Sequence, residues 1–107
     1  MDTYDIKDFY KKEKIDAHVH LNSSNSAWIE LAKEDNFKLL SINVDYSAFN
    51  PVEEQYEFAL KHFKENPDVL AFASTFHMSG WDDSDWVYKV INHLESTFND
   101  GAIAVKI

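Results

Sequence analysis

Cysteine is absent from this 107-residue chain. That excludes disulfides and thiolate metal sites, and leaves histidine, carboxylate or a modified lysine as the side chains able to hold a metal. Basic residues are scarce: ten against nineteen acidic ones give a formal charge of −9, with a pI near 4.8. Such a surface repels phosphate backbones and anionic lipid heads, so neither nucleic acid nor a membrane is an expected partner. No apolar run approaches the roughly 20 residues that span a bilayer. The opening Met1-Asp2-Thr3-Tyr4-Asp5 lacks the basic start and apolar middle of a signal peptide, which makes a cytoplasmic location the default expectation. What the chain does have is apolar mass: 45% hydrophobic and 15% aromatic residues, enough to bury a core as one soluble globular unit.

Strand-like and helix-like segments alternate along the chain. Lys14 to Leu21 reads as a short strand, and Ser23-Ser24-Asn25-Ser26 supplies caps for a helix with Trp28, Leu31 and Ala32 on one side. Phe37 to Asp45 reads as a second strand. Asn50-Pro51 then places an N-cap residue before proline at the first helical position. The helix it opens runs to about Lys64, with Tyr56, Ala59, Leu60 and Phe63 at spacings of three and four, and Asn66-Pro67 stops it. A third strand is expected from Asp68 to about Phe76. The loop Met78 to Ser84 leads to a helix from about Asp85, with Trp86, Val90 and Leu94 inward and Gly101 as its C-terminal cap. Ala102 to Ile107 reads as a fourth strand. The pattern predicts an α/β chain of four parallel strands and three helices built from right-handed βαβ units.

Alternation alone does not separate an open doubly wound sheet from a closed barrel. In a regular strand Asp16, His18 and His20 share one face and Ile15, Ala17, Val19 and Leu21 the other. A polar inner face opposite an apolar outer one suits a barrel strand with a site at its C-terminal mouth, and strand order should then be sequential. Residues two apart on a strand stand about 6.6 Å apart along the backbone, so the two imidazoles can converge on one cation. A His-x-His among five histidines also arises by chance, as two partly exposed strand-end residues.

Lys14-Ile15-Asp16-Ala17-His18-Val19-His20-Leu21 resembles the opening strand of the amidohydrolase superfamily, where Asp-x-His-x-His opens a TIM-type (β/α)8 barrel and both histidines bind a metal. Gly101 to Ile107 looks like that superfamily's fourth strand, and Asn66 to Phe76 is similar to the third strand of its amidohydrolase-related, family-2 members. The resemblance implies the N-terminal half of a metal-dependent barrel, strands one to four over residues 1–107. The implied metal is divalent, zinc first, with manganese, iron or cobalt as alternatives. The implied reaction is metal-assisted hydrolysis of an amide, ester or lactone, or a related decarboxylation, on a small-molecule substrate. His18 and His20 are the implied metal ligands, with Asp16 behind them. The remaining ligands of the superfamily come from later strands, so no complete catalytic set is expected within one copy.

Lys106 shares a face with Ala102 and Ala104, and His77 with Ala73 and Thr75. Both are candidates for metal or substrate contact at the mouth, although for the chain by itself a solvated terminal lysine and a hydrogen-bonded loop histidine are the favoured readings. His62 and His93 fall within helices, where packing or surface roles are expected. Asn43 and Asp45 end the second strand, where turn chemistry competes with substrate contact. Deoxyribonuclease-like hydrolases share the opening motif but carry glutamate where this chain has Lys106. Related phosphoesterases continue with motifs replaced here by Ser24-Asn25-Ser26 and Val44-Asp45-Tyr46. The competing reading from another class is a non-catalytic half-barrel or truncated interaction module, able to self-associate through exposed sheet edges.

Overall fold

The computed structural model describes residues 3–107. Its elements are α1 (Ile6–Lys11), β1 (Lys14–Val19), α2 (Ala27–Glu34), β2 (Phe37–Ile42), α3 (Val52–Glu65), β3 (Leu70–Ser74), α4 (Trp86–Asn99) and β4 (Ala104–Val105). All pairings are parallel and the strand order is β1-β2-β3-β4. This sequential order is the one expected of a barrel, and the chain forms an α/β half-barrel. Each helix after α1 follows a strand and returns the chain to the start of the next, as parallel pairing requires.

Four helices are present among the described residues rather than three. The extra one, α1, is set by a capping box: the Asp5 side chain accepts from the Lys7 amide, and the Asp8 side chain accepts from the Asp5 amide. Its Phe9 packs edge-on to Phe37, the first residue of β2, with ring centroids 6.1 Å apart.

Two buried clusters hold the helices to the sheet. Val19, Leu21, Leu39 and Leu70 close on Ile29 and Ala32 of α2, while Phe72 meets Ala59 of α3 and Ala102. In α2 the buried row is therefore Ile29 and Ala32. Trp28 and Leu31, expected inward, are half exposed beside the free edge of β1. Residues three apart face the sheet together, and the neighbouring row at 28 and 31 is turned by about 100° away from it.

Several boundaries differ from the sequence expectation. Strand β2 stops at Ile42 because Gln55 of α3 takes over as partner: its side chain accepts from the Val44 amide at 2.9 Å and donates to the Val44 carbonyl at 2.8 Å. A buried amide side chain here does the work of a neighbouring strand. Asn50 does not cap α3, whose N-cap is Pro51 without a side-chain bond. Strand β4 is only two residues long, although Ile103 and Lys106 extend it by donating to the Phe72 and Ser74 carbonyls. Gly101 does end α4, at φ 121°, where an added Cβ would meet the Phe63 ring.

The face assignment of β1 is corrected by its register. Asp16 stands opposite Leu39 but Val19 opposite Ser41, so three steps along β1 span only two along β2. The extra residue is a bulge, and one extra residue reverses which face every later side chain occupies. Before it, Asp16 lies with Leu39 on the helix side, in a depression shared with Trp28, Ala32 and Asp35. After it, Val19 and Leu21 take the helix side. Ile15 and Ala17, expected outward with them, instead line an apolar hollow with Leu40, Ala71 and Ile103. Ile15 remains 69% exposed, since the concave face of the half-barrel is uncovered.

Candidate functional site

His18 and His20 flank the buried Val19 at the C-terminal end of β1 and come together. Their ring centroids are 5.2 Å apart in an edge-on arrangement, which places two imidazoles on one side of the strand. His18 is exposed and His20 partly buried. Beside the bulge, the Asp16 carboxylate accepts from the His18 amide at 3.1 Å. Asp16 thus fixes the backbone that carries His18, from the opposite side of the strand to the one expected.

The His20 ring is oriented on two sides. Its Nδ1 lies 2.9 Å from the Ile42 carbonyl oxygen, and since a carbonyl only accepts, Nδ1 carries the proton. The Nε2 lone pair is then free, which is the tautomer a metal ligand needs and the outer hydrogen bond that orients such ligands. Phe49, in the connection after β2, covers the ring with centroids 4.8 Å apart. Further along, the Leu21 amide donates to Ser41 Oγ. His62, fully buried on the inner row of α3, donates from Nε2 to the Ser23 carbonyl at 2.7 Å. The loop that follows the histidine pair is therefore pinned by a helix about forty residues away in sequence.

An open depression of about 580 Å³ runs along this edge, lined by His18, His20, Asn22, Ser23, Asn25 and Trp28 among others. A tetrahedral ion would need two further ligands beside such a pair. Among the described residues no group of three or more His, Cys, Asp or Glu could hold a metal ion, so the donor set stops at two.

Lys106 and His77 lie apart from the pair. Lys106 is exposed, its Nζ donating to the Ile107 carbonyl, and it lines a separate hollow with Asp45, Thr75 and Met78. Ala104 pairs with Ala73 across the sheet, and Lys106 follows the last residue of β4. Ala102, expected to share a face with both, has joined the cluster beneath α3. His77 is engaged by carboxylates: Nε2 donates to Glu53 and Nδ1 lies 3.8 Å from Asp45. The hydrogen bond from His77 is the main reason the Glu53 carboxyl is held below its ordinary range.

Asn43 is buried with its Nδ2 unpartnered, and His62 leaves Nδ1 unpartnered. Sequence reasoning did not reach Glu53, Gln55, His62 or Phe49 as parts of this region. Each acts on a residue far off in the chain, and only the amphipathic placement of Gln55 and His62 on the buried row of α3 was available as a signal. No helix among the described residues is long and apolar enough to cross a membrane. No family model matches the chain, and no curated protein or solved structure matches it either.

Proposed function

We propose that this chain is the N-terminal half of a metal-dependent hydrolase barrel of the amidohydrolase type, with His18 and His20 as two ligands of one divalent ion. The observation that carries the reading is the paired imidazoles at the C-terminal end of the first of four sequential parallel strands, 5.2 Å apart and with the Nε2 of His20 left free by its bond to Ile42. The C-terminal ends of barrel strands are where such folds build their sites.

A divalent ion, zinc first, would lower the pKa of bound water to about 7 and polarise the carbonyl of an amide, ester or lactone. The chain's own part is to position ligands. Ile42 holds the His20 tautomer, Asp16 holds the His18 backbone, and His62 holds the loop beyond them. Lys106 and Thr75 belong to a neighbouring hollow at the same end of the sheet, where an ammonium suits an anionic substrate group.

The donor count favours a second reading for the chain taken alone, that of a non-catalytic module that associates with itself. Two ligands do not make a hydrolytic site, which needs about three with an open position and a proton acceptor. A panel of lactones and esters assayed with added zinc or manganese is expected to show no turnover above the metal-only background. Enzyme-like turnover by a monomer of this chain would contradict the half-site reading.

A further inference from the structure

The curved sheet is unfinished at both sides. Among the described residues its four strands run in one direction, and β1 and β4 each pair along one edge alone. A free strand edge carries amides and carbonyls that another strand can take. The concave face is equally bare. Ile15 and Ala17 of β1, Leu40 of β2, Ala71 of β3 and Ile103 line it as one apolar hollow, with Lys38 and Asp68 also bordering it. Ile15 and Ile103 are 69% and 63% exposed. Large side chains beside alanines are what fills the interior of a small barrel.

The size of the molecule shows how much is missing. Its radius of gyration is 16.5 Å, whereas a compact domain of this length has about 13 Å and one of twice the length about 17 Å. The chain exposes 7241 Å², against about 6,200 Å² for a compact protein of its mass. A compact body of doubled mass exposes about 10,000 Å². Two copies closed into one such body would therefore bury about 4,000 Å², within the range of about 2,000–5,000 Å² found in obligate homodimers.

We propose that the two free edges and the concave face bind a second copy of this chain, β4 of each copy against β1 of the other, closing an eight-stranded parallel barrel about a two-fold axis. The inference rests on the self-associating reading of the chain and needs no metal. Each copy gives the other a strand of the right direction at both ends, and an apolar layer to fill the interior. A single added strand or peptide would cover one edge and leave the other edge and the hollow open. Ile15, Ala17, Leu40, Ala71 and Ile103 carry no charge, so the −9 of each chain stays outside the layer they form. The contact is self-complementary, and the curvature of the sheet closes it at two copies instead of letting it propagate. Because all eight strands point one way, the histidine pairs of both copies stand at the same mouth.

Small-angle scattering of the full chain in EDTA at micromolar concentration reads mass and size together, and the chelator removes any bridging by metal. The mass is expected to be twice the 12.5 kDa of one chain, with a radius of gyration within about 2 Å of the 17 Å or so of a compact body of that length. A doubled mass with a radius above about 21 Å, as for copies joined along one edge, would overturn closure while leaving self-association standing. So would a mass that keeps growing with concentration. A monomer would sink both. Ile103→Glu puts a charge into the shared layer at a position that is exposed in the single chain. It should weaken association at least about 100-fold and leave the circular dichroism of the monomer unchanged. Ile15→Glu repeats the test from β1 should the first variant misfold. Ile91→Glu, on the half-exposed side of α4, should leave the pair intact. A dimer that survives both strand variants, or one lost only in Ile91→Glu, would overturn the proposal.

Discussion

Phe72→Ala is expected to cost about 3–5 kcal/mol of folding free energy. Phe72 is fully buried in the middle of β3, between Ala59 of α3 and Ala102 before β4. Its ring meets Phe63 edge-on at 5.6 Å and Tyr56 at 6.1 Å. Truncation removes both aromatic contacts and leaves a void that two alanines cannot fill. Domains are stable by only about 5–15 kcal/mol in all, and this one leaves large apolar side chains on its concave face and strand ends, with Ile15, Ile103 and Ile107 at 69%, 63% and 92% exposure. A loss of that size should leave the variant substantially unfolded near room temperature. Urea denaturation followed by circular dichroism checks it, with Phe72→Leu as the milder comparison. A midpoint shift worth less than about 1 kcal/mol would mean that β3 is not the centre of the core.

Replacing His18 and His20 together by alanine is expected to weaken zinc binding by at least about 100-fold, since loss of even an outer hydrogen-bond partner of a metal ligand costs about 10–100-fold. The same change should leave the fold nearly intact. His18 is exposed, and His20 gives up one hydrogen bond to Ile42 and one ring contact with Phe49, together about 1 kcal/mol. Calorimetric titration of parent and variant, each with a thermal melt, separates the two effects. Equal zinc affinity in both chains would remove the pair from any metal site. His62, His77 and His93 provide the comparison, because their rings are committed to a carbonyl, to two carboxylates and to a helix interface.

The sequential parallel order and the pairing of His18 with His20 were legible because both rest on local rules. Strand–helix alternation forces parallel crossovers, and a two-residue spacing on a strand forces neighbouring side chains. The bulge in β1 was not legible. No glycine or proline marks Ala17-His18, and a run that alternates cleanly in sequence gives no sign that one residue is unpaired. That one residue moved Asp16 to the helix side and Ile15 to the concave side while keeping the histidines together.

Helix α1 did leave a signal, the Asp5 and Asp8 spacing of a capping box. It is easily passed over because the third helical position carries aspartate where glutamate is usual. The carboxylate cradle of His77 and the hold of His62 on Ser23 span 24 and 39 residues. Such contacts follow only once the strand order has brought the loops to one end of the sheet.

The most direct test of the histidine pair as a shared metal site is long-range proton–nitrogen NMR of the five imidazoles during a zinc titration. The account predicts that His18 and His20 respond together and saturate at one ion per chain. His20 should coordinate through Nε2 while its Nδ1 keeps the proton that Ile42 accepts. Coordination of His20 through Nδ1, or a zinc response at His62, His77 or His93 with His18 and His20 unchanged, would contradict it.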